Sequence, residues 1–136
     1  MEFSLNSFHI IINSILVGLI LVTQFITYPS FKYIDVKQFV YFHQKYTNSI
    51  TCIVLPLMLF ELIFVFLEVY KNDLPINIAN LTIVIVIWLL TILALVPIHD
   101  KLSNNYDLEL IKKLVNLNFL RTGLWIIKLV FLTYLS

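Results

Sequence analysis

Charge is what this sequence has least of. Only 12% of its 136 residues are Asp, Glu, Lys or Arg, about half the share a soluble domain carries. Glycine occurs twice and proline four times, too rarely for flexible linkers or a disordered chain. A single cysteine, Cys52, excludes an internal disulfide framework and any multi-cysteine metal site. The net charge of +1 gives no global attraction to nucleic acid. There is no Walker loop, no GxGxxG, no HExxH and no GxSxG, so the commonest nucleotide, zinc-protease and serine-hydrolase signatures are missing. No Lys or Arg precedes the first apolar run, and no small-residue cleavage site follows it. That start reads as an uncleaved first span rather than a signal peptide.

What fills the chain is apolar: 60% hydrophobic residues and a mean hydropathy of +0.94. Lipid is the solvent this composition suits. A membrane-crossing helix needs about 20 mostly apolar residues. Four segments qualify: 5–27, 47–70, 77–98 and 114–135. Backbone groups in lipid must be satisfied within each helix, which leaves no strand reading. The expected fold is all-α, an integral membrane four-helix bundle of antiparallel up-down topology, forming one transmembrane domain over 1–136. Tyr28-Pro29 is expected to end the first helix, since the residue before proline avoids helical geometry. KNDLP at 71–75 makes a short turn, and Pro97 falls where the third span should stop. Asp107 and Glu109 suit the start of the fourth. Phe39, Phe42, Tyr46 and Ile50 recur at helical spacing, so 36–46 is either an interfacial helix or an extension of the second span. Lys32, Lys37, Lys45, Lys101, Lys112 and Lys113 share one side, whereas Lys71 stands alone on the other. The positive-inside rule then places connections 28–46 and 99–113 in the cytoplasm and both termini outside an inner (plasma) membrane.

Ionisable groups inside a membrane are costly and by default face the bundle interior. On the fourth helix Asn118, Arg121, Trp125 and Lys128 form one stripe at 100° per residue. Asn6, Asn13 and Gln24 share a face of the first. His43 and Glu61 align on the second, and Trp88, Leu95 and His99 lie close in angle on the third. Counted from the lysine-rich side, Asn13, Glu61 and Lys128 all lie about 21 Å deep, and Arg121 and Thr91 about 10 Å. An outer layer therefore pairs Glu61 with Lys128 beside Asn13, unless Lys128 snorkels outward. An inner layer gathers Arg121, Gln24 and Asn118, with His43 and His99 at the mouth. No acidic side chain matches the depth of Arg121. A guanidinium stays charged, so it requires acceptors or an anion there, and a site role and a structural network both remain open.

Three stretches carry a resemblance: YPSF at 28–31, ALVPIHDKL at 94–102 and LVNLNFLRTGLW at 114–125. In this order, with four spans, the chain resembles the anthrone-oxygenase-like small membrane proteins, and more closely uncharacterised bacterial proteins of that layout. FHQKYTNSI and LPLMLFEL, with His43 and Glu61, have counterparts there. The resemblance implies a cofactor-independent oxidation of polycyclic anthrones. In that chemistry a lipid-soluble C–H acid or phenol enters from the bilayer. His43 or His99 serves as base and Arg121 holds the oxyanion. Gln24, Asn118, Trp125 and Tyr28 would complete the ligand site.

Three other readings compete. Glu61, Lys128 and Arg121 could line the path of a carrier or channel subunit, for which four spans would need a homo-oligomer. The polar groups could serve folding alone, in a structural or accessory protein. Haem between His43 and His99 is the alternative to having no cofactor. The partners expected are the lipid bilayer and a hydrophobic small molecule, and not nucleic acid.

Overall fold

The computed structural model describes residues 5–134, so the expected end of the fourth span at Leu135 lies outside the described residues. Four helices in it are long and apolar enough to cross a membrane: α1 Leu5–Tyr33, α2 Val36–Lys71, α3 Pro75–Leu102 and α4 Leu108–Tyr134. Among the described residues there is no strand. The helices are joined by short links and pack as an all-α four-helix bundle. The links α1–α2 and α3–α4 mark a lysine-rich end. The link α2–α3 lies at the other, terminal end, where α1 begins and α4 finishes.

The helix starts are set by local chemistry. Asp35 caps α2 by accepting from the Lys37 N–H at 2.8 Å. Asp107 caps α4 by accepting from Glu109 and Leu110 N–H groups at 2.9 and 3.1 Å. Pro75 opens α3, where its missing N–H costs nothing. From Val36 the second helix runs unbroken for 36 residues, so 36–46 is its extension.

Neither Pro29 nor Pro97 ends its helix. Each follows a π-helical turn by two residues: Thr23–Thr27 before Pro29 and Thr91–Leu95 before Pro97. In these turns Tyr28 N–H reaches back to Thr23 O, and Val96 N–H to Thr91 O. A proline in an α-helix crowds the carbonyl four residues back. A wider turn just upstream gives that carbonyl room, so α1 continues to Tyr33 and α3 to Leu102.

Each helix buries a narrow stripe. On α4 it is Ile111, Leu114, Asn118, Arg121, Trp125, Lys128 and Leu132, spaced by threes and fours. On α2 the stripe is broken: Phe39 and His43 are buried, then nothing until Met58. Leu16, Ile20, Met58, Ile87 and Trp125 form an apolar core in the middle of the bundle. A second core, with Phe31, Phe39, Leu102 and Leu114 at its centre, closes the lysine-rich end. The gap in the α2 stripe lies between these two cores.

Candidate functional site

That gap is the wall of a cleft of about 620 Å³. Its sides are α2 from Tyr46 to Met58 and α3 from Trp88 to Ser103, with α1 and α4 behind. Asn48, Thr51, Cys52 and Leu55 on one lip and Ile92 and Val96 on the other are exposed. In a membrane these lips face lipid. Pro56 sits inside α2 at this level and deprives the Cys52 carbonyl of its helical bond.

Arg121 forms part of the back wall. Its Nη1 donates to Thr91 Oγ1 at 3.2 Å, and Thr91 in turn donates to Ile87 O at 2.7 Å. The guanidinium carbon lies 5.3 Å from the centre of the Trp125 ring, in cation–π contact. Tyr28 and Tyr46 are its other near neighbours. Arg121 is 8% exposed. Its Nε has no partner, and no carboxylate among the described residues lies within ion-pair distance. The side chain is thus a buried cation balanced only by dipoles and ring faces, at the back of an open cleft.

The two histidines join this wall to the lysine-rich end. Tyr28 Oη and His99 Nε2 are 2.9 Å apart. His99 Nδ1 meets His43 Nε2 at 3.0 Å, and His43 Nδ1 meets Ser103 Oγ at 3.0 Å. Every ring nitrogen has a partner. The chain can be oriented either way: Tyr28 donates inward and Ser103 accepts the last proton, or the reverse. Reversing every bond carries one proton between the cleft and the end of the bundle. Neighbouring rings fix the geometry, with Phe39 stacked on His43 at 5.4 Å and Phe31 edge-on to it at the same distance. Seating a haem between His43 and His99 would require breaking their mutual bond and parting rings whose centres are 5.2 Å apart. Their donor set does not fit that group as it stands. Among the described residues no cluster of three or more His, Cys, Asp or Glu could hold a metal ion.

Arg121, Trp125, Tyr28 and His99 line the cleft; Gln24 and Asn118 do not. These two turn toward each other instead. Asn118 Nδ2 donates to Gln24 Oε1 at 2.8 Å, and Gln24 Nε2 to Val115 O at 3.3 Å. Their bonds clamp α1 to α4 behind the wall. His43 stands one residue back from the cleft, reaching it through His99.

A second polar cluster lies toward the terminal end. Lys128 Nζ donates to Glu61 Oε1 and Asn13 Oδ1, both at 2.9 Å, and contacts His9 Nε2 at 2.7 Å. Glu61, Asn13, Lys128 and His9 are all fully buried. Glu61 also accepts from Trp125 Nε1 at 3.2 and 3.1 Å through its two oxygens. His9 Nδ1 is 2.7 Å from Glu68 Oε1. His9 and Glu68 join the cluster beyond the residues that depth alone groups, and helical spacing signals both: His9 is four residues before Asn13, and Glu68 seven after Glu61. Trp125 stands between this cluster and the cleft: it lines the cleft, lies against Arg121 and donates to Glu61, with apolar Leu16, Ile20 and Met58 packed around it. No protein-family model matches this chain, and no curated protein or solved structure matches it either.

Proposed function

We propose that this small multi-pass membrane protein binds a lipid-soluble molecule bearing an acidic or strongly polarised oxygen. The molecule enters from the bilayer between α2 and α3. One observation carries the reading: Arg121 is buried, has no carboxylate partner among the described residues, and lines a cleft that opens between α2 and α3. A guanidinium so placed gains most from an oxygen anion, since water is scarce and the attraction little screened.

The Tyr28–His99–His43–Ser103 chain supports acid–base work on that ligand. A hydroxyl or acidic C–H proton would pass to Tyr28 as the Tyr28 proton moves to His99 Nε2. The His99 Nδ1 proton would move to His43, and the His43 Nδ1 proton outward past Ser103. Arg121 would hold the oxyanion left behind. Oxidation of such a ligand by dioxygen is what the resemblance to anthrone-oxygenase-like proteins implies. The lysine-rich end then faces the cytoplasm, so the released proton leaves on that side. The apolar core between the two polar clusters favours this reading over a carrier or channel.

Mass spectrometry of small molecules that co-purify with the protein tests the proposal. The wild type should carry a lipophilic, acidic compound. Arg121→Met should lose it while keeping the same thermal unfolding midpoint. The same set of compounds on both proteins would refute the reading.

A further inference from the structure

The cleft makes no use of the cluster at the terminal end. That cluster is more than a salt bridge, because its hydrogen bonds have a direction. Lys128 carries three ammonium protons and has three acceptors: His9 Nε2, Asn13 Oδ1 and Glu61 Oε1. An ammonium can only donate, so with Lys128 charged His9 Nε2 accepts and the single ring proton stands on Nδ1. It points at Glu68 Oε1, 2.7 Å away. His9 therefore accepts on one side and donates on the other. Glu68 is the cluster's outermost member and the one with solvent contact, its side chain 13% exposed against 0% for His9, Lys128 and Glu61.

We propose that Glu68, His9 and Lys128 form a proton relay from water at the terminal end to buried Glu61. The outward step breaks Lys128 Nζ–H and forms His9 Nε2–H, while His9 Nδ1–H breaks and Glu68 Oε1–H forms. Ammonium becomes amine, carboxylate becomes carboxylic acid, and the total charge is unchanged; nothing is oxidised. The inward step is the reverse, after which Lys128 can pass a proton to Glu61 Oε1 at 2.9 Å. The groups facing the relay are His9 and Asn13 from α1, Glu61 and Glu68 from α2, and Lys128 and Trp125 from α4. The ionisable residues of α3, His99, Asp100 and Lys101, lie at the opposite end. Exposed Lys71 at the end of α2 and Asp73 in the α2–α3 link lie at the terminal end.

A purely structural network needs these bonds but no proton transfer, and that difference is measurable. Trp125 reports on Glu61, because both carboxylate oxygens hold its indole N–H. With Trp88→Phe, Trp125 is the sole remaining tryptophan of two. The test is a rapid acid jump on this protein in lipid nanodiscs, following Trp125 emission. The relay predicts a fast emission shift that is lost in Glu61→Gln. His9→Gln should also lose the fast phase with an unchanged circular-dichroism melt, because its amide can bridge Lys128 and Glu68 but cannot pass a proton. Glu68→Gln should lose it too, and decides the matter if His9→Gln fails to fold. No shift in the Trp88→Phe protein, or a fast phase surviving in His9→Gln or Glu68→Gln, would overturn the proposal. No ligand is added in this test, and the residues changed in the deciding variants, His9 and Glu68, lie outside the cleft, so its outcome is separable from the reading of the cleft.

Discussion

Lys128 and Arg121 lie seven residues apart on one stripe of α4, yet their surroundings differ in kind. Lys128 has as many acceptors as protons, one of them a carboxylate. Arg121 has only neutral groups around it: the Thr91 hydroxyl at 3.2 Å, the Trp125 ring face and the nearby Tyr28 and Tyr46. Removing one partner of a buried ion pair strands the other charge, at about 3–5 kcal/mol. Lys128→Met should therefore lower stability by about that amount in a denaturant titration, and adding Glu61→Gln should restore most of it. Thr91→Val removes an acceptor from the buried Arg121 guanidinium and should cost about 1–3 kcal/mol. It should weaken ligand retention more than it weakens the fold.

Much of this contrast is legible in the sequence. Counting depth along each helix puts Glu61, Lys128 and Asn13 at one level, and the structure joins those three. The same count leaves Arg121 without an acid, and among the described residues no carboxylate pairs with it. Depth and angle do not say which way a long side chain turns. Gln24 and Asn118 share the right faces but satisfy each other behind the cleft wall. His9 lies at the start of α1, where an ionisable group reads as interfacial until Glu68 is seen to meet it.

At the scale of the element, the prolines teach most. The rule that the residue before proline leaves the helix predicts breaks at Pro29 and Pro97, and it misses the π-turns that absorb both. Sequence patterns carry little signal for one extra residue in a turn, because the apolar face is continuous on both sides. The π-turn matters to the site, since it sets the angle at which His99 leaves α3. A π-turn amounts to one residue inserted into an α-helix. Deleting exposed Leu93 should convert Thr91–Leu95 to α-helix while keeping the helical phase of His99. Pro97 would then crowd an ordinary turn, at about 3 kcal/mol. The deletion should lower the melting temperature on its own and be well tolerated together with Pro97→Ala. Deleting Ile85 instead should rotate the remainder of α3 by about 100° and disrupt the bundle.

At the scale of the whole molecule, four apolar helices and their order are legible from hydropathy alone, because lipid permits so few architectures. The cleft is not, since it arises where α2 stops burying residues between His43 and Met58. An apolar run looks the same in sequence whether it faces a helix, a cleft or lipid. Ile92 stands on the lip, 52% exposed. Ile92→Trp should obstruct the mouth and reduce ligand retention with little effect on stability. The lysine distribution fixes the orientation expected. In a Cys52→Ser background, Asn72→Cys should react with a membrane-impermeant maleimide in intact cells, and Asn104→Cys only after the cells are opened.

The most direct measurement of the central claim is native mass spectrometry of the intact protein released from membranes, wild type beside Arg121→Met. The account predicts an adduct of one small acidic molecule per chain on the wild type. That adduct should be absent from an equally stable Arg121→Met protein. A wild-type protein with no adduct, or the same adduct on both proteins, would contradict it.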